Sequence, residues 1–259
     1  MTGAGTLKIE RDGPVLIVGI DRPEKRNALS DATIAEFDRL FSSLPADARA
    51  VLVHPTGPNF SAGLDLSEIA ERNVYEGVLH SRSWHHCFEK IEFGALPVVA
   101  VLRGAVVGGG LELAAAAHVR VAERSAFYAL PEGQRGIFVG GGGSVRVPRL
   151  VGVSRMADMM LTGRVYSAEE GLPLGFSQYL VDNNAGYAKG LELAHKMAGN
   201  APLTNFAVIQ ALPRIAEADP RIGYVMESLM AAVAQGSDEA KARVRAFLDH
   251  RAAKVAKPD

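Results

Sequence analysis

The run from Leu96 to Glu132, LPVVAVLRGAVVGGGLELAAAAHVRVAERSAFYALPE, constrains the architecture more than any other part of the chain. Pro97 to Leu102 is short, apolar and β-branched, the composition of a strand covered on both faces. Gly108, Gly109 and Gly110 then read as a sharp turn into an apolar helix running through Ala117. Glycine suits that turn, because a backbone without a Cβ can bend tightly and approach a ligand. Buried strands alternating with helices imply an α/β domain with parallel-type strands.

The same grammar runs through the preceding residues. Leu7 to Ile20 reads as two strands joined at Asp12-Gly13-Pro14, followed by the polar loop RPEKRNALS. Ser30 caps a helix through about Phe41, with Ile34, Phe37, Leu40 and Phe41 on one face. Ala50 to His54 is a buried strand, and HPTGPNFSAGLDLSE is a loop of turn formers ending at a short helix near Leu66. Glu76 to Phe93 is helical and delivers the chain to the Pro97 strand. Beyond Glu132, Gly140 to Gly143 precede a helix to Leu150, and Ser154 to Leu161 is another. Ser167-Ala-Glu-Glu170 opens a third with a capping box, and Tyr179 to Val181 is the last strand. From Asn184 onward the period is helical over 185–198, 203–218, 221–234 and 237–254. The expected organisation is an α/β core over 1–195 and an all-helical region over 196–259.

Composition narrows the functions available. With 259 residues and 48% hydrophobic content the chain can bury a substantial core. Its 28 basic and 29 acidic residues give a net charge of −1 with no long basic run, so neither nucleic acid nor an anionic membrane is expected as a partner. Arg103, the glycines and Glu112 interrupt the most apolar window, which argues against a transmembrane span. The opening MTGAGTLKIERDG lacks the form of a secretory signal, and the single cysteine, Cys87, permits no intrachain disulfide. The cytoplasm is therefore the expected compartment. The histidines, including adjacent His85 and His86, show no i, i+4 pair or cysteine partner, so no metal is expected. The glycine runs lack the lysine and hydroxyl of a phosphate loop, and no serine sits in a G-x-S-x-G elbow. Trp84 and Phe88, at helical spacing, read as core or pocket wall.

Two carboxylates twenty residues apart are candidates for acid–base chemistry. Glu112 lies one helical turn beyond Gly109 on the same face, and Glu132 follows Pro131 where a loop can return it to the same place. Each alone has a plainer reading, Glu112 as the buried partner of an arginine and Glu132 as the acid of an ordinary Pro-Glu helix start. The first amides of the Gly109 helix lack intrahelical partners and sit at the positive end of its dipole. The loop from Asn59 to Asp65 repeats that logic, with Ala62 as its candidate donor. Two such amides aimed at one carbonyl oxygen make an oxyanion hole.

Together these segments resemble the crotonase, or enoyl-CoA hydratase/isomerase, superfamily. The resemblance is carried by DRPEKRNALS at 21–30, NFSAGLDLSE at 59–68, LPVVAVLRGAVVGGGLELA at 96–114, ALPEGQRGIFVGGGGSVRVPRLVG at 129–152 and LTGRVYSAEEGLPLGFSQYLV at 161–181. It implies a crotonase-like spiral of β-β-α units with a C-terminal all-helical region used in trimer contacts. It further implies a homotrimer or a hexamer of two trimers, and an acyl-CoA thioester as substrate, with coenzyme A part of that substrate and no separate cofactor. By the resemblance Ala62 and Gly109 are the oxyanion amides, Glu112 and Glu132 the two hydratase glutamates, and Gly140 the glycine beside the reacting water. Lys25, Arg26, Leu64, Asp65 and Leu66 match the region that seats coenzyme A. Phe247 matches an aromatic that reaches a neighbouring subunit's ligand.

The chain departs from the pattern at Arg103, at Ala117-His118, at Val139 before Gly140, and at His250, where a lysine is common and Arg251 can substitute. The resemblance implies a hydratase adding water in syn fashion across the trans-2 double bond of an enoyl-CoA. An enoyl-CoA isomerase, a hydratase of an aromatic or branched acyl chain, and a non-catalytic acyl-CoA-binding protein remain alternatives. The stretch from Ala70 to Trp84 gives no substrate signature.

Overall fold

The computed structural model describes residues 5–68 and 72–251, the Glu68 side chain excepted. Ala70, at the start of the stretch without a substrate signature, and 252–254, the end of the last expected helix, lie outside the described residues. The chain forms two compact units, Met1–Ala198 and Gly199–Asp259.

The central strands of the first unit have almost no solvent face. After β1 (Leu7–Asp12), an edge strand, β2 (Val15–Ile20) is buried at every position. The α1 helix (Asp31–Ser42) is capped by the Ser30 hydroxyl, which accepts from the Thr33 amide, and buries Ile34, Phe37 and Phe41 as expected. It leads to β3 (Ala50–Pro55) and then to α2 (Val74–Glu92), where Asn73 and Glu76 form a capping box. The main sheet continues through β4 (Val98–Leu102), β6 (Val119–Glu123) and β9 (Tyr179–Val181), in the order β1-β2-β3-β4-β6-β9. Only the β1–β2 pair is antiparallel.

A smaller sheet holds β5 (Ala105–Val107), β7 (Phe127–Ala129) and β8 (Tyr166–Ser167). Consecutive pairs β4–β5 and β6–β7 each give one strand to each sheet, and helices follow, α3 (Gly109–Ala116) and α4 (Gly143–Val151). This is the spiral of β-β-α units. The small strands have two or three residues, too few to leave a period in the sequence.

Side-chain alternation divides the core in two. Val15, Ile17, Leu52, Val99 and Val101 turn to one face, where α7 (Gly186–Ala198) covers them with Leu193 and Ala194. A Cβ at Gly190 would come within 2.5 Å of Val101, so glycine permits that close approach. Leu16, Val18, Val51, Val53, Ala100 and Leu102 turn the other way, into the larger core with Phe37, Phe88 and Leu111. The α5 helix (Val153–Thr162) follows α4 after Gly152, and α6 (Ala168–Leu174) has the Ser167–Glu170 capping box.

Two of the departures from the expected pattern, Arg103 and His118, are held by hydrogen bonds. Arg103 pairs at 2.8 Å with Glu123, a buried carboxylate that also accepts the Gly186 amide. His118 accepts the Val98 amide at Nδ1 and faces the Glu92 carbonyl with Nε2, and burial pushes its pKa down to about 4, so the ring is neutral.

In the second unit, the single helix expected over 203–218 is instead α8 (Pro202–Phe206), a π turn at Ala207–Ala211, and α9 (Leu212–Glu217). Pro213 has no amide hydrogen to return to Ile209, so the ladder widens before it. The α10 helix (Pro220–Gly236) starts at the Asp219 cap and α11 (Asp238–Leu248) at Ser237, and α10 packs on α9. Among the described residues no helix is long and apolar enough to cross a membrane.

Candidate active site

The cleft lies where both sheets deliver their turns, and holds about 490 Å³ of empty space including its open mouth. Its walls include Leu64 and Leu66, Trp84 from α2, Gly108 and Gly109 at the start of α3, Glu112, Glu132, and the stretch from Ile137 to Gly140. The two glutamates and Gly109 named from the sequence thus share one site.

Glu112 projects from the first turn of α3 and is 3% exposed. Its Oε1 accepts the Gly141 amide at 2.8 Å and the Gly143 amide at 2.7 Å, two donors from the glycine run that leads into α4. Burial raises its pKa, while those amides and the Arg146 guanidinium oppose the rise. Glu132 immediately precedes a short 3-10 turn, Gly133–Arg135, and is 7% exposed. Burial, reinforced by the Glu112 charge, pushes its pKa up to about 7. Its Oε2 has no hydrogen-bond partner among the described residues. Its Oε1 would stand 2.6 Å from a Cβ at Gly108, which is why glycine, at φ +53, occupies that position.

The unpartnered amides at the cleft are not the two expected as oxyanion donors. The Ala62 amide donates to the Arg26 carbonyl at 3.0 Å and is therefore occupied. Ser61 donates to Ala105, Gly63 to the Ser61 hydroxyl, and Asp65 to the Leu29 carbonyl. Leu29 returns its own amide to Gly63, so residues 63 and 65 flank Leu29 in a parallel bridge and Leu64 turns its N–H the opposite way. The Leu64 amide has no partner among the described residues. It lies 3.5 Å from a Cβ built on Gly109, and both residues line the cleft. Gly109, the first residue of α3, has no residue four back within its helix to receive its amide. Leu64 and Gly109 are the available pair. Gly63, with φ +92, is the sequence signal for the reversal that exposes Leu64.

The remaining predicted residues separate. Gly140 lines the cleft, and its carbonyl is held by the Ser81 hydroxyl at 2.7 Å. Leu66 is an exposed cleft residue. The Asp65 carboxylate is buried and takes hydrogen bonds from Ser67 and the Arg22 guanidinium, which hold its pKa below the usual carboxylate range. Lys25 and Arg26 are exposed on a turn, with Arg26 left-handed at φ 51. Phe247 is 56% exposed on α11, in the second unit. Residues the sequence did not single out also enter: His80 and Arg135 line the cleft, and Arg146 sits behind it. Their partners are fixed only by tertiary packing. Among the described residues no three His, Cys, Asp or Glu side chains gather as a metal site requires.

The sequence pattern of the family Enoyl-CoA hydratase/isomerase matches residues 10–257. The chain is 30% identical over 246 residues to the short-chain-enoyl-CoA hydratase of Clostridium acetobutylicum, covering 94% of each protein. It is 29% identical over 247 residues to the 2,3-dehydroadipyl-CoA hydratase of Escherichia coli K12, covering 95% of this chain and 96% of the other. A crystal structure from Rhodopseudomonas palustris, provisionally assigned as an enoyl-CoA hydratase, superposes with a TM-score of 0.93 at 63% identity, over 95% of each chain.

Proposed function

The chain belongs to the enoyl-CoA hydratase/isomerase family, and we infer that it is an enoyl-CoA hydratase, a hydro-lyase adding water across the trans-2 double bond of an acyl-CoA thioester. The observation that carries this reading is the unlike bonding of two carboxyls in one cleft. Glu112 accepts two N–H donors on one oxygen, which suits a charged, acceptor-only carboxylate. Glu132, with pKa about 7 and an oxygen without a donor, suits the neutral acid that carries a proton. Because the groups interact, the proton belongs to the pair, and hydrogen bonding sets where it rests.

In this scheme the thioester oxygen accepts the Leu64 and Gly109 amides, which draws electrons from the double bond and stabilises the enolate. A water beside Gly140 gives a proton to Glu112 as its oxygen bonds to the β-carbon. Glu132 gives its proton to the α-carbon from the same side, so the addition is syn. A proton passing from Glu112 to Glu132 then restores the starting state. Amide dipoles polarise the thioester, so the scheme uses no metal or redox group.

Coenzyme A is assigned to the mouth formed by Leu64 and Leu66, with Lys25 and Arg26 as phosphate partners. The Arg26 carbonyl ties that cationic turn to the loop bearing the Leu64 amide. The second unit is assigned to trimer contacts, as a homotrimer or a hexamer of two. Support comes from the large apolar side chains that α10 leaves in solvent, among them Ile222, Val225 and Leu229. Phe247 is assigned to a neighbouring subunit's ligand. A reducing, cytoplasmic setting fits Cys87, a buried free thiol whose pKa burial pushes up to about 12.

Relatives of nearly equal identity are named for different acyl groups, so the test spans chain types. Hydration of straight-chain, dicarboxylic and aromatic enoyl-CoAs is measured for the parent, Glu112→Ala and Glu132→Ala. Each variant is expected to lose about 10²–10⁴-fold in turnover. Parental turnover in both defeats the two-carboxylate scheme. Double-bond migration without hydration selects an isomerase, and CoA-ester binding without turnover selects a binding protein.

A further inference from the structure

We propose that Arg146, anchored by Glu92, is a positioning residue for Glu112, holding the glycine turn whose amides grip the Glu112 carboxylate. Arg146 lies on α4 with its side chain 7% exposed. Its Nε donates to Glu92 Oε2 at 2.5 Å, and its Nη1 donates to the Gly141 carbonyl at 3.0 Å. Glu92 is the last residue of α2, and its other oxygen lies 3.7 Å from Arg149 Nη1. The anchor is therefore a rigid helix end with a carboxylate between two arginines.

The turn itself leaves no slack. A Cβ on Gly142 would fall 2.2 Å from Arg146 Nη1, and Gly142 takes φ +95. The peptide joining residues 140 and 141 is gripped at both ends: Ser81 Oγ donates to the Gly140 carbonyl at 2.7 Å, and the Gly141 N–H donates to Glu112 at 2.8 Å. Arg146 grips the next carbonyl, and the Gly143 N–H returns to the same Glu112 oxygen at 2.7 Å. Two successive carbonyls are thus tied outward to α2, one directly and one through Arg146, while the amides point inward. A peptide free to turn would swing a dipole away from a buried charge, so the outward ties keep Glu112 ionisable.

The charged and titratable groups around this device are few. Glu92, Arg149, His85 and Glu89 surround Arg146 on the outer side. Arg146 acts on Glu112, and the Glu112 charge acts on Glu132. A bare charge effect of Arg146 on Glu112 is the rival explanation, and a lysine separates the two. Arg146→Lys keeps the charge but not the planar fork that reaches Glu92 and Gly141 together.

The test measures the pH dependence of kcat and KM for trans-2-butenoyl-CoA hydration in the parent, Arg146→Lys, Glu92→Gln and Ser81→Ala. Arg146→Lys and Glu92→Gln should lower kcat by roughly 10–100-fold, leave KM nearly unchanged, and move the acidic limb upward by about one pH unit. Ser81→Ala should move it the same way by less. A lower kcat with the parental limb, or a parental profile in Arg146→Lys, overturns the proposal. The kinetic arm rests on the hydratase reading, so the Glu112 carboxyl is also titrated without substrate, by infrared difference between each protein and its Glu112→Gln counterpart. An upward shift of that titration in Glu92→Gln is expected even if the parent hydrates nothing, and an unchanged titration there sinks the proposal. If Arg146→Lys does not fold, Glu92→Gln and Ser81→Ala decide by the same readouts.

Discussion

The Gly143 amide lies 2.7 Å from Glu112 Oε1, and a Cβ on Gly143 would stand 2.8 Å from that same oxygen. Donor and steric limit coincide, so the carboxylate is located by the absence of a side chain as much as by the hydrogen bond. Gly143→Ala should displace Glu112 while keeping every titratable group. We expect kcat for enoyl-CoA hydration to fall by roughly 10–100-fold with an unchanged far-ultraviolet circular dichroism spectrum. Turnover within twofold of the parent would show that Glu112 tolerates displacement.

The unlike bonding of the two glutamates predicts unlike responses to amide substitution. Glu132→Gln keeps a donor where the neutral acid stood but cannot deliver a proton. Glu112→Gln places an NH2 or a neutral oxygen before two N–H donors that favoured a charge. Both should lose about 10²–10⁴-fold in kcat. Glu132→Gln should retain affinity for the product 3-hydroxyacyl-CoA in calorimetric titration, and Glu112→Gln should also shift the thermal midpoint. Equal effects on binding and stability from both substitutions would contradict the assignment.

The parts of this architecture written in the sequence are those with long, consistent patterns. Continuous burial in β2 and β3, the Ser30 cap and the Ser167–Glu170 capping box all follow from local chemistry. The short strands β5, β7 and β8 escaped, because their pairing depends on which turns the main sheet brings together. In the cleft, Glu112, Glu132 and Gly109 were legible from spacing and resemblance. On the loop, the amide left without a partner among the described residues is that of Leu64 and not that of Ala62, because amide direction depends on the Leu29 bridge. The bracing of Asp65 by Arg22 is not legible in the sequence, since the two residues are distant in the chain.

The raised pKa of Glu132 has a consequence for stability. In the folded protein it titrates near 7, against an ordinary value of 4.5, so the folded state holds the proton more tightly than the unfolded chain. Stability contributed by this group is full below pH 4.5, declines as pH rises through that window, and is lost above about 7. Glu132→Gln removes the titration. Allowing for solvent at the open cleft, the variant should gain about 1–2 kcal/mol relative to the parent at pH 8 and nothing at pH 4.5. Thermal midpoints at both pH values test this, and a pH-independent difference would count against it.

The reassignment of the oxyanion donor can be tested without altering any side chain. Replacing Leu64 by its α-hydroxy acid analogue swaps the amide N–H for an ester oxygen and keeps the isobutyl group. Because the Leu64 N–H has no partner among the described residues, the exchange should leave the fold intact while lowering kcat by about 10²–10³-fold. The same exchange at Ala62 removes the bond to the Arg26 carbonyl at 3.0 Å. That loss acts on the turn carrying Lys25 and Arg26, so it should raise KM for the CoA ester and lower the thermal midpoint more than it lowers kcat. If instead the Ala62 ester abolishes turnover and the Leu64 ester is silent, Ala62 is the donor and must release Arg26 when substrate binds.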